Sequence, residues 1–187
     1  MSVGMFVGML DGSPLIKDWV DQEQGLFGGL TLGYDGGHHW GSELRLAFSS
    51  VELSDSARAL AEAGDVPGPN TRYADVFLWD IGMLYYPRGD TLWRPYFKIG
   101  LGTGRIRFID IEHTRYNKIS LAMPLALGVK YRCNDWLALR FECADNIVFG
   151  RGNVQSVHEF SITGGVEIRF GRSRKTYWPW NPDRVLL

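Results

Sequence analysis

Few residues in this sequence have types and spacings suited to catalysis. His158 and Ser161 lie three positions apart, and a serine nucleophile activated by a histidine base is the chemistry of ester hydrolysis. Their parity differs, however, so a regular strand would point the two side chains to opposite faces, out of hydrogen-bond reach. We therefore predict that this pair is not catalytic and that the protein is not an enzyme.

The other histidines and acids offer weak metal-binding chemistry. Asp110, Glu112 and His113 could together bind a cation, but they lie in a polar segment whose acids we expect to be solvated. His38 and His39 follow a glycine-rich turn and are also expected to face solvent. The sequence contains no Cys-x-x-Cys pair, phosphate-binding loop or His-Glu-x-x-His motif. We predict no metal site and no cofactor.

A third group of residues combines both signs of charge with small neighbours. These residues recur on the face that carries Gly, Ala and Ser, opposite the large apolar side chains. Buried charges persist when they are paired, so the near balance of acids and bases predicts a charge network inside a barrel. The network could form an ion path or a gating pair, but a salt-bridged plug is favoured because an eight-stranded lumen is narrow. Its predicted members are Glu43, Arg45, Asp80, Lys98, Lys130, Arg140, Glu142, Glu167 and Arg169.

The segment from Ile119 to Tyr131 shows how such a face would be built. In ISLAMPLALGVKY the odd positions are all apolar, whereas the even positions are small or charged. A period of two predicts a strand, because successive side chains point to opposite faces. At about 3.3 Å per residue and a tilt near 45°, this strand would span roughly 30 Å, the thickness of the hydrocarbon core of a bilayer.

Eight segments share this alternation, and the connections between them are alternately long and short. A sheet in lipid must close, because an open edge would leave backbone groups unpaired. We therefore predict an all-β fold: an eight-stranded antiparallel up-and-down transmembrane β-barrel with short periplasmic turns and long outer loops. The segments begin near Val3, Gly25, Trp40, Phe77, Trp93, Ile119, Leu137 and Phe160.

Local features add detail to this pattern. Asp35-Gly36-Gly37 predicts a tight hairpin turn, because glycine tolerates positive φ. The segment from Ser54 to Gly64 predicts a short helix inside a long loop. The alternation shifts near Arg105, which predicts a β-bulge. Cys133 and Cys143 lie too far apart along their hairpin to form a disulfide.

Large aromatic residues gather near the predicted short turns. Trp and Tyr favour the boundary between lipid and water, so their position predicts an interfacial girdle. A soluble lipocalin-like barrel would instead turn its apolar face inward and need an outer face rich in Lys, Glu, Thr and Gln. That face here is mostly Gly, Ala and Ser, so the membrane barrel is favoured. The predicted girdle residues are Tyr34, Trp40, Tyr85, Trp93 and Tyr131.

Composition limits the remaining classes of protein. The chain of 187 residues has no apolar run of about eighteen residues, so no transmembrane helix is predicted. Its net charge of -1 provides no basic surface for nucleic acid. We assign residues 1–171 to the barrel and residues 172–187 to a periplasmic tail. The basic and aromatic residues of that tail predict contact with lipid head groups, docking to a partner, or a disordered end.

Two motifs and the glycine-rich alternation resemble a known family. WRPYFKIGLG begins at Trp93, and the last predicted strand, FSITGGVEIRF, ends in the aromatic Phe170. In these features the sequence is similar to the small eight-stranded outer-membrane barrels of the OmpA and OmpX type. It departs from them in that Phe170 is followed by a tail, which is too short for the peptidoglycan-binding domain that some relatives carry.

The resemblance implies a location in the outer membrane of a Gram-negative cell envelope. It also implies export by a signal peptide, which we expect to have been removed or omitted ahead of Met1, and insertion by the outer-membrane assembly machinery with Phe170 as the assembly signal. The implied partners are outer-membrane lipids, lipopolysaccharide, and an envelope protein bound through the outer loops or the tail. The implied role is structural, adhesive or that of a complex subunit. A lipid A-modifying enzyme is the alternative.

Overall fold

The strands described here come from a computed structural model, which describes residues 1–12, 20–22, 24–55, 72–109, 115–149 and 156–171. Nine strands occur in these ranges, and the eight longer ones alternate between outward apolar and inward small or charged residues over most of their described side chains. The strands are β1 (Ser2–Gly12), β2 (Val20–Gln22), β3 (Gly25–Asp35), β4 (Trp40–Asp55), β5 (Arg72–Tyr85), β6 (Trp93–Ile109), β7 (Arg115–Arg132), β8 (Leu137–Val148) and β9 (Val157–Arg169).

Eight of these strands form a closed ring. The order is β4-β3-β1-β9-β8-β7-β6-β5, every pairing is antiparallel, and β5 pairs with β4 to close the sheet. The short β2 pairs only with the outer end of β4, through Val20 and Asp55. The predicted eight-stranded antiparallel up-and-down barrel is therefore confirmed, because closure gives every barrel strand two neighbours.

The strands extend further than the sequence pattern predicted. The last strand but one continues to Val148, so that Asn146 lies within β8, and Ser54 lies within β4 rather than capping a helix. The remainder of the predicted helix lies outside the described residues. The predicted bulge at Arg105 is wrong, because β6 pairs without interruption with Phe77 and its neighbours on β5. The outward residues of β6 become basic near its outer end. The apolar pattern therefore fades there, although the alternation of faces continues.

The turn after β3 also differs from its prediction. The N-H groups of Gly36 and Gly37 both donate to the Trp40 carbonyl oxygen at 3.1 Å. Among the described glycines, positive φ occurs only at Gly89 (63°) and Gly171 (106°). The expected positive φ at Gly36 and Gly37 is therefore wrong, since a loop of four residues closes this hairpin without a mirror-image turn.

The two faces of the sheet have opposite chemistry. Leu121 and Phe141 point outward and are 49% and 52% exposed, whereas Glu43 and Arg140 point inward and are 2% and 8% exposed. A large apolar outer surface fits lipid and not water, so the soluble lipocalin-like alternative is wrong. Within the described ranges, no helix has the length and hydropathy needed to cross a membrane.

The structure places the aromatic residues of the predicted girdle on the outer surface at the short-turn end. The rings of Trp40 and Tyr85 pack with centroids 4.9 Å apart, and those of Trp93 and Tyr131 with centroids 4.7 Å apart. Tyr34 is also exposed on this surface. These contacts follow from the register, which sets Trp40 opposite Tyr85 and Trp93 opposite Tyr131.

Candidate functional site

The barrel interior is filled by three layers of side chains. Aromatic and basic residues form the layer at the short-turn end, charged residues form the middle layer, and apolar residues form the layer at the opposite end. Inward positions come from alternate residues of every strand, so the layers follow from strand parity together with the register.

The layer at the short-turn end is built around Tyr86 and Arg94. The Arg94 guanidinium lies 3.5 Å from the centroid of the Tyr86 ring and donates to Asp35 Oδ2 at 2.9 Å. Burial raises the pKa of the Tyr86 phenol, so the ring stays neutral beside the cation. Lys130 Nζ lies 2.6 Å from a carboxylate oxygen of Glu167. This layer therefore closes the short-turn end with paired charges and stacked rings.

Glu43 is the centre of the middle layer. Lys98 Nζ donates to Glu43 Oε1 at 2.9 Å, and the Arg140 guanidinium contacts both Glu43 oxygens. Arg140 also contacts Glu142, which accepts a hydrogen bond of 2.7 Å from the Tyr96 hydroxyl. Two cations thus share one buried carboxylate, and removal of that carboxylate would leave both without their closest anion.

A second arm of the middle layer reaches toward the outer end. Arg45 Nε donates to Asp80 Oδ2 at 2.6 Å, and Arg45 Nη2 donates to Asn146 Oδ1. Asn146 Nδ2 in turn donates to the Glu159 carbonyl oxygen at 3.1 Å and lies 3.3 Å from Ser161 Oγ. This arm joins four strands across the lumen.

The layer at the outer end is an apolar plug. Its members are all buried and lie on six different strands, so they fill the lumen above the charges. Glu159 projects inward near this plug and is fully buried, and neither of its carboxylate oxygens has a hydrogen-bond partner among the described residues. The plug consists of Leu10, Phe27, Ala47, Val51, Val76, Leu78, Ala122 and Val148.

Most of the predicted charge network lies inside the barrel. Eight of its nine members are buried in the interior, whereas Arg169 lies at the rim of the short-turn end, with Nη2 3.5 Å from Asp35 Oδ2. The sequence reasoning missed Arg94, Asn146 and Glu159. All three obey the inward parity of their strands, so longer strand predictions would have found the last two.

The structure does not bring the residues of the weaker candidate sites together. His158 is exposed on the outer surface, whereas Ser161 is buried in the lumen, so the two side chains lie on opposite faces. His39 Nδ1 donates to the Tyr86 carbonyl oxygen at 2.8 Å, and the side chains of both His38 and His39 are exposed.

Metal chemistry finds no support in the described ranges. There, no group of three or more His, Cys, Asp or Glu side chains could hold a metal ion. Asp110, Glu112 and His113 lie outside the described residues, as does the tail of residues 172–187. Cys133 and Cys143 are free thiols.

Comparisons with known proteins agree with the geometry. A family model described as "Outer membrane protein beta-barrel domain" matches residues 6–170. Neisserial surface protein A is similar in structure, with a TM-score of 0.60 and 12% identity over 91% of this chain and 99% of that chain. The outer membrane protein OprG from Pseudomonas aeruginosa gives a TM-score of 0.57 and 16% identity over 91% of this chain and 96% of that chain.

A third similar structure is Ail, the attachment invasion locus protein of Yersinia pestis, in complex with the heparin analogue sucrose octasulfate. It gives a TM-score of 0.54 and 12% identity over 90% of this chain and 98% of that chain. No curated protein matches the sequence. At these identities the likeness concerns the fold.

Proposed function

Because this chain belongs to the outer membrane protein β-barrel domain family, we propose that it is a non-enzymatic barrel, closed to solutes, whose outer connections recognise a partner. Its place is the bacterial outer membrane. The filled interior is the observation that supports this proposal. Charges, stacked rings and an apolar plug occupy the lumen, so the surfaces left for recognition are the connections and the rims. The role is then adhesion, envelope structure or membership of a larger complex.

The charge of the connections favours one kind of partner. Residues 13–24, between β1 and β3, contain three acidic residues and one basic residue, and residues 56–71, between β4 and β5, contain two acidic residues and one basic residue. Like charges repel, so these connections disfavour a sulfated polyanion such as the heparin analogue bound to Ail. A basic protein surface in the envelope or on a host cell fits better.

A binding assay on the barrel in lipid nanodiscs tests this proposal. We expect a lysine-rich peptide to bind and heparin not to bind. Replacement of Asp18, Asp21 and Glu23 by Asn and Gln should then weaken peptide binding, while replacement of Arg151 by Gln should not. Binding of heparin, or peptide binding that survives neutralisation of the acids, would contradict the proposal.

Two further measurements separate this role from catalysis and transport. Cells that express the barrel should yield lipid A of unchanged mass, because the His158 and Ser161 side chains cannot cooperate across the barrel wall. Planar bilayers that contain the barrel should show no steady single-channel steps. Altered lipid A would favour the enzyme, and regular steps would show that the lumen conducts.

Assembly and anchoring complete the proposal. Phe170 follows β9 directly and is exposed, and its N-H donates to the Met1 carbonyl oxygen at 2.7 Å. An exposed aromatic next to the last strand supports the role of assembly signal read by the outer-membrane assembly machinery. Outer-membrane lipids and lipopolysaccharide then surround the barrel, and residues 172–187 offer a second place for an envelope partner to bind.

A further inference from the structure

A polar cavity opens at the short-turn end of the barrel, and we call it the vestibule. It has a volume of about 210 Å³. The rings of Tyr86 and Tyr96 and the Lys130 ammonium fill the barrel beneath it, so the vestibule is a dead end that suits binding rather than passage. The Met1 amino group lies on its wall and donates to the Phe170 carbonyl oxygen at 3.1 Å. The charged side chains that line the vestibule are Asp35, Asp90, Asp135, Arg94, Arg132 and Arg169.

Arg94 forms the floor of the vestibule and is held from several sides. Its guanidinium lies over the Tyr86 ring at 3.5 Å from the centroid and donates to Asp35 Oδ2 at 2.9 Å. Its Nε donates to the Gly89 carbonyl oxygen at 3.1 Å, and its Nη2 donates to the His38 carbonyl oxygen at 3.3 Å. These contacts fix a buried positive charge at the base of the cavity and use most of the N-H groups of Arg94.

Arg132 and Arg169 have N-H groups to spare. Arg132 Nη2 donates to Asp90 Oδ1 at 2.7 Å. Arg169 Nη2 lies 3.5 Å from Asp35 Oδ2, an atom that already accepts from Arg94. Among the described residues these are the side-chain contacts that the two guanidiniums make, and each side chain is 24% exposed. A guanidinium carries five N-H donors, so both can still bind a planar carboxylate.

A smaller cavity of about 10 Å³ adjoins the vestibule and is strongly positive. It shares three arginines with the vestibule and adds Lys130, and Glu167 is the single acid among its described lining residues. Ala138 lies between Arg132 and Glu167 in the register of β7, β8 and β9, and its small methyl group leaves this space open. Such a volume has room for about one water-sized atom. On this side, beside the buried Lys130, the vestibule therefore favours an oxygen atom of an anion.

An acid without a partner lies on the exposed side of the vestibule. Asp135 belongs to the turn between β7 and β8, is exposed, and makes no hydrogen bond or ion pair among the described residues. The nearby His38 is also exposed, and its Nδ1 lies 3.9 Å from Asp90 Oδ2, too far for a hydrogen bond. Asp135 can therefore accept a cation, and the vestibule offers separate places for a negative and a positive group.

We propose that the vestibule binds an α-amino acid group, which carries an ammonium and a carboxylate on one carbon atom. The carboxylate accepts from Arg132 and Arg169, with one oxygen directed toward the smaller cavity, and the ammonium donates to Asp135. A ligand with only one of these charges makes only half of the contacts. The group belongs to a free amino acid or to the end of a longer molecule. The site lies at the opposite end of the barrel from the acidic connections, and it stands whether or not these recognise a partner.

Nuclear magnetic resonance on the full chain in micelles of an uncharged maltoside tests the site. We expect alanine to shift, in a saturable way, the Nε-H signals of Arg132 and Arg169 and the backbone N-H signal of Gly37, which also lines the vestibule. N-acetylalanine lacks the ammonium and alanine methyl ester lacks the carboxylate, so each should bind at least about tenfold more weakly. Nε-acetyl-lysine carries the same group at the end of a long side chain. Tighter binding of this probe than of alanine assigns the site to the end of a longer molecule, and equal or weaker binding assigns it to free amino acids.

Two variants, followed through the Gly37 signal, remove the arginines and the acid separately. Arg132→Gln with Arg169→Gln should weaken alanine binding at least about tenfold, because the carboxylate loses its charged donors. Asp135→Asn should bring the affinity for alanine close to that for N-acetylalanine, because the ammonium loses its acceptor. Arg88→Gln is the matched control: Arg88 is exposed in the turn between β5 and β6 and does not line the vestibule, so its loss should leave binding unchanged. Heat-shift electrophoresis checks that each variant is folded.

The ligand controls keep the proposal falsifiable even if a variant fails to fold. It is overturned if neither alanine nor Nε-acetyl-lysine shifts these signals, or if N-acetylalanine or inorganic phosphate shifts them at the same concentration as alanine. It is also overturned if the folded double variant binds alanine as tightly as wild type, because the arginines would then not hold the ligand.

Discussion

Replacement of Glu43 by Leu should be among the most destabilising single changes in this barrel. Glu43 is 2% exposed and accepts hydrogen bonds from both Lys98 and Arg140. Glu43 is the nearest anion of both Lys98 and Arg140, so Glu43→Leu leaves an uncompensated cation inside the wall. Breaking a buried ion pair from one side costs about 3–5 kcal/mol, and that is the loss we expect in the free energy of unfolding.

A second substitution should recover most of this loss. The double variant Glu43→Leu with Arg140→Met removes one acid and one base, while Lys98 keeps Asp80 at 3.1 Å and Glu142 keeps the Tyr96 hydroxyl. Replacing a buried pair by apolar side chains is often close to neutral, so the double variant should lie within about 2 kcal/mol of wild type. The double variant should therefore lose clearly less stability than the sum of the two single losses.

The assay is reversible unfolding by urea in lipid vesicles, followed by tryptophan fluorescence and by heat-shift electrophoresis. Asp90→Leu serves as the matched control, because it breaks the partly exposed pair with Arg132, where water can solvate the remaining cation and the loss should be smaller. If Glu43→Leu unfolds at the same urea concentration as wild type, or if the losses simply add in the double variant, the charges do not act as a buried network.

Three further predictions concern other parts of the barrel. Glu159→Leu should stabilise the fold by about 1–3 kcal/mol, because the carboxylate is buried without a partner among the described residues, and the same urea titration would reveal any loss instead. A Cβ at Gly102 would lie 2.0 Å from the Trp79 carbonyl oxygen, whereas one at Gly164 would meet no atom within 4 Å. Gly102→Ala should therefore cost at least about 2 kcal/mol and Gly164→Ala less than about 0.5 kcal/mol, and equal losses would refute the close approach. An impermeant maleimide should label the exposed Cys133 only in permeabilised cells and an introduced Ser156→Cys in intact cells, and the opposite result would invert the orientation.

Most of what the sequence predicted correctly follows from the alternation of side chains along each strand. Because side chains alternate, the inward face of Glu43, Arg140 and their neighbours follows from position alone. Parity gives a face but no angle around the barrel and no height along it. The contact between Glu43 and Arg140 joins residues 97 positions apart, and that between Arg45 and Asn146 joins residues 101 positions apart. Such pairs depend on the stagger of the closed ring.

The ends of the strands were the other limit of sequence reasoning. Outward residues turn polar where a strand leaves the lipid, so the contrast between faces fades before the strand ends. Arg105 gave the appearance of a bulge for this reason, and Asn146 and Glu159 were missed for the same reason. The contact between Asp145 and His158 on the outward face was also missed. A polar residue on the apolar face looks, in the sequence, like the end of a strand.

The ring is completed by strands from opposite ends of the chain. β1 pairs with β9 from Ser2 and Arg169 to Gly12 and Glu159, and the Met1 amino group donates to the Phe170 carbonyl oxygen, 169 positions away. Every other neighbour in the ring is also the next barrel strand along the chain, so hairpins can form one after another. The last seam cannot form until β9 has arrived, and contacts of such long sequence separation form slowly. Until that moment two strand edges stay open, and the growing sheet must be sheltered from other unfinished copies of itself.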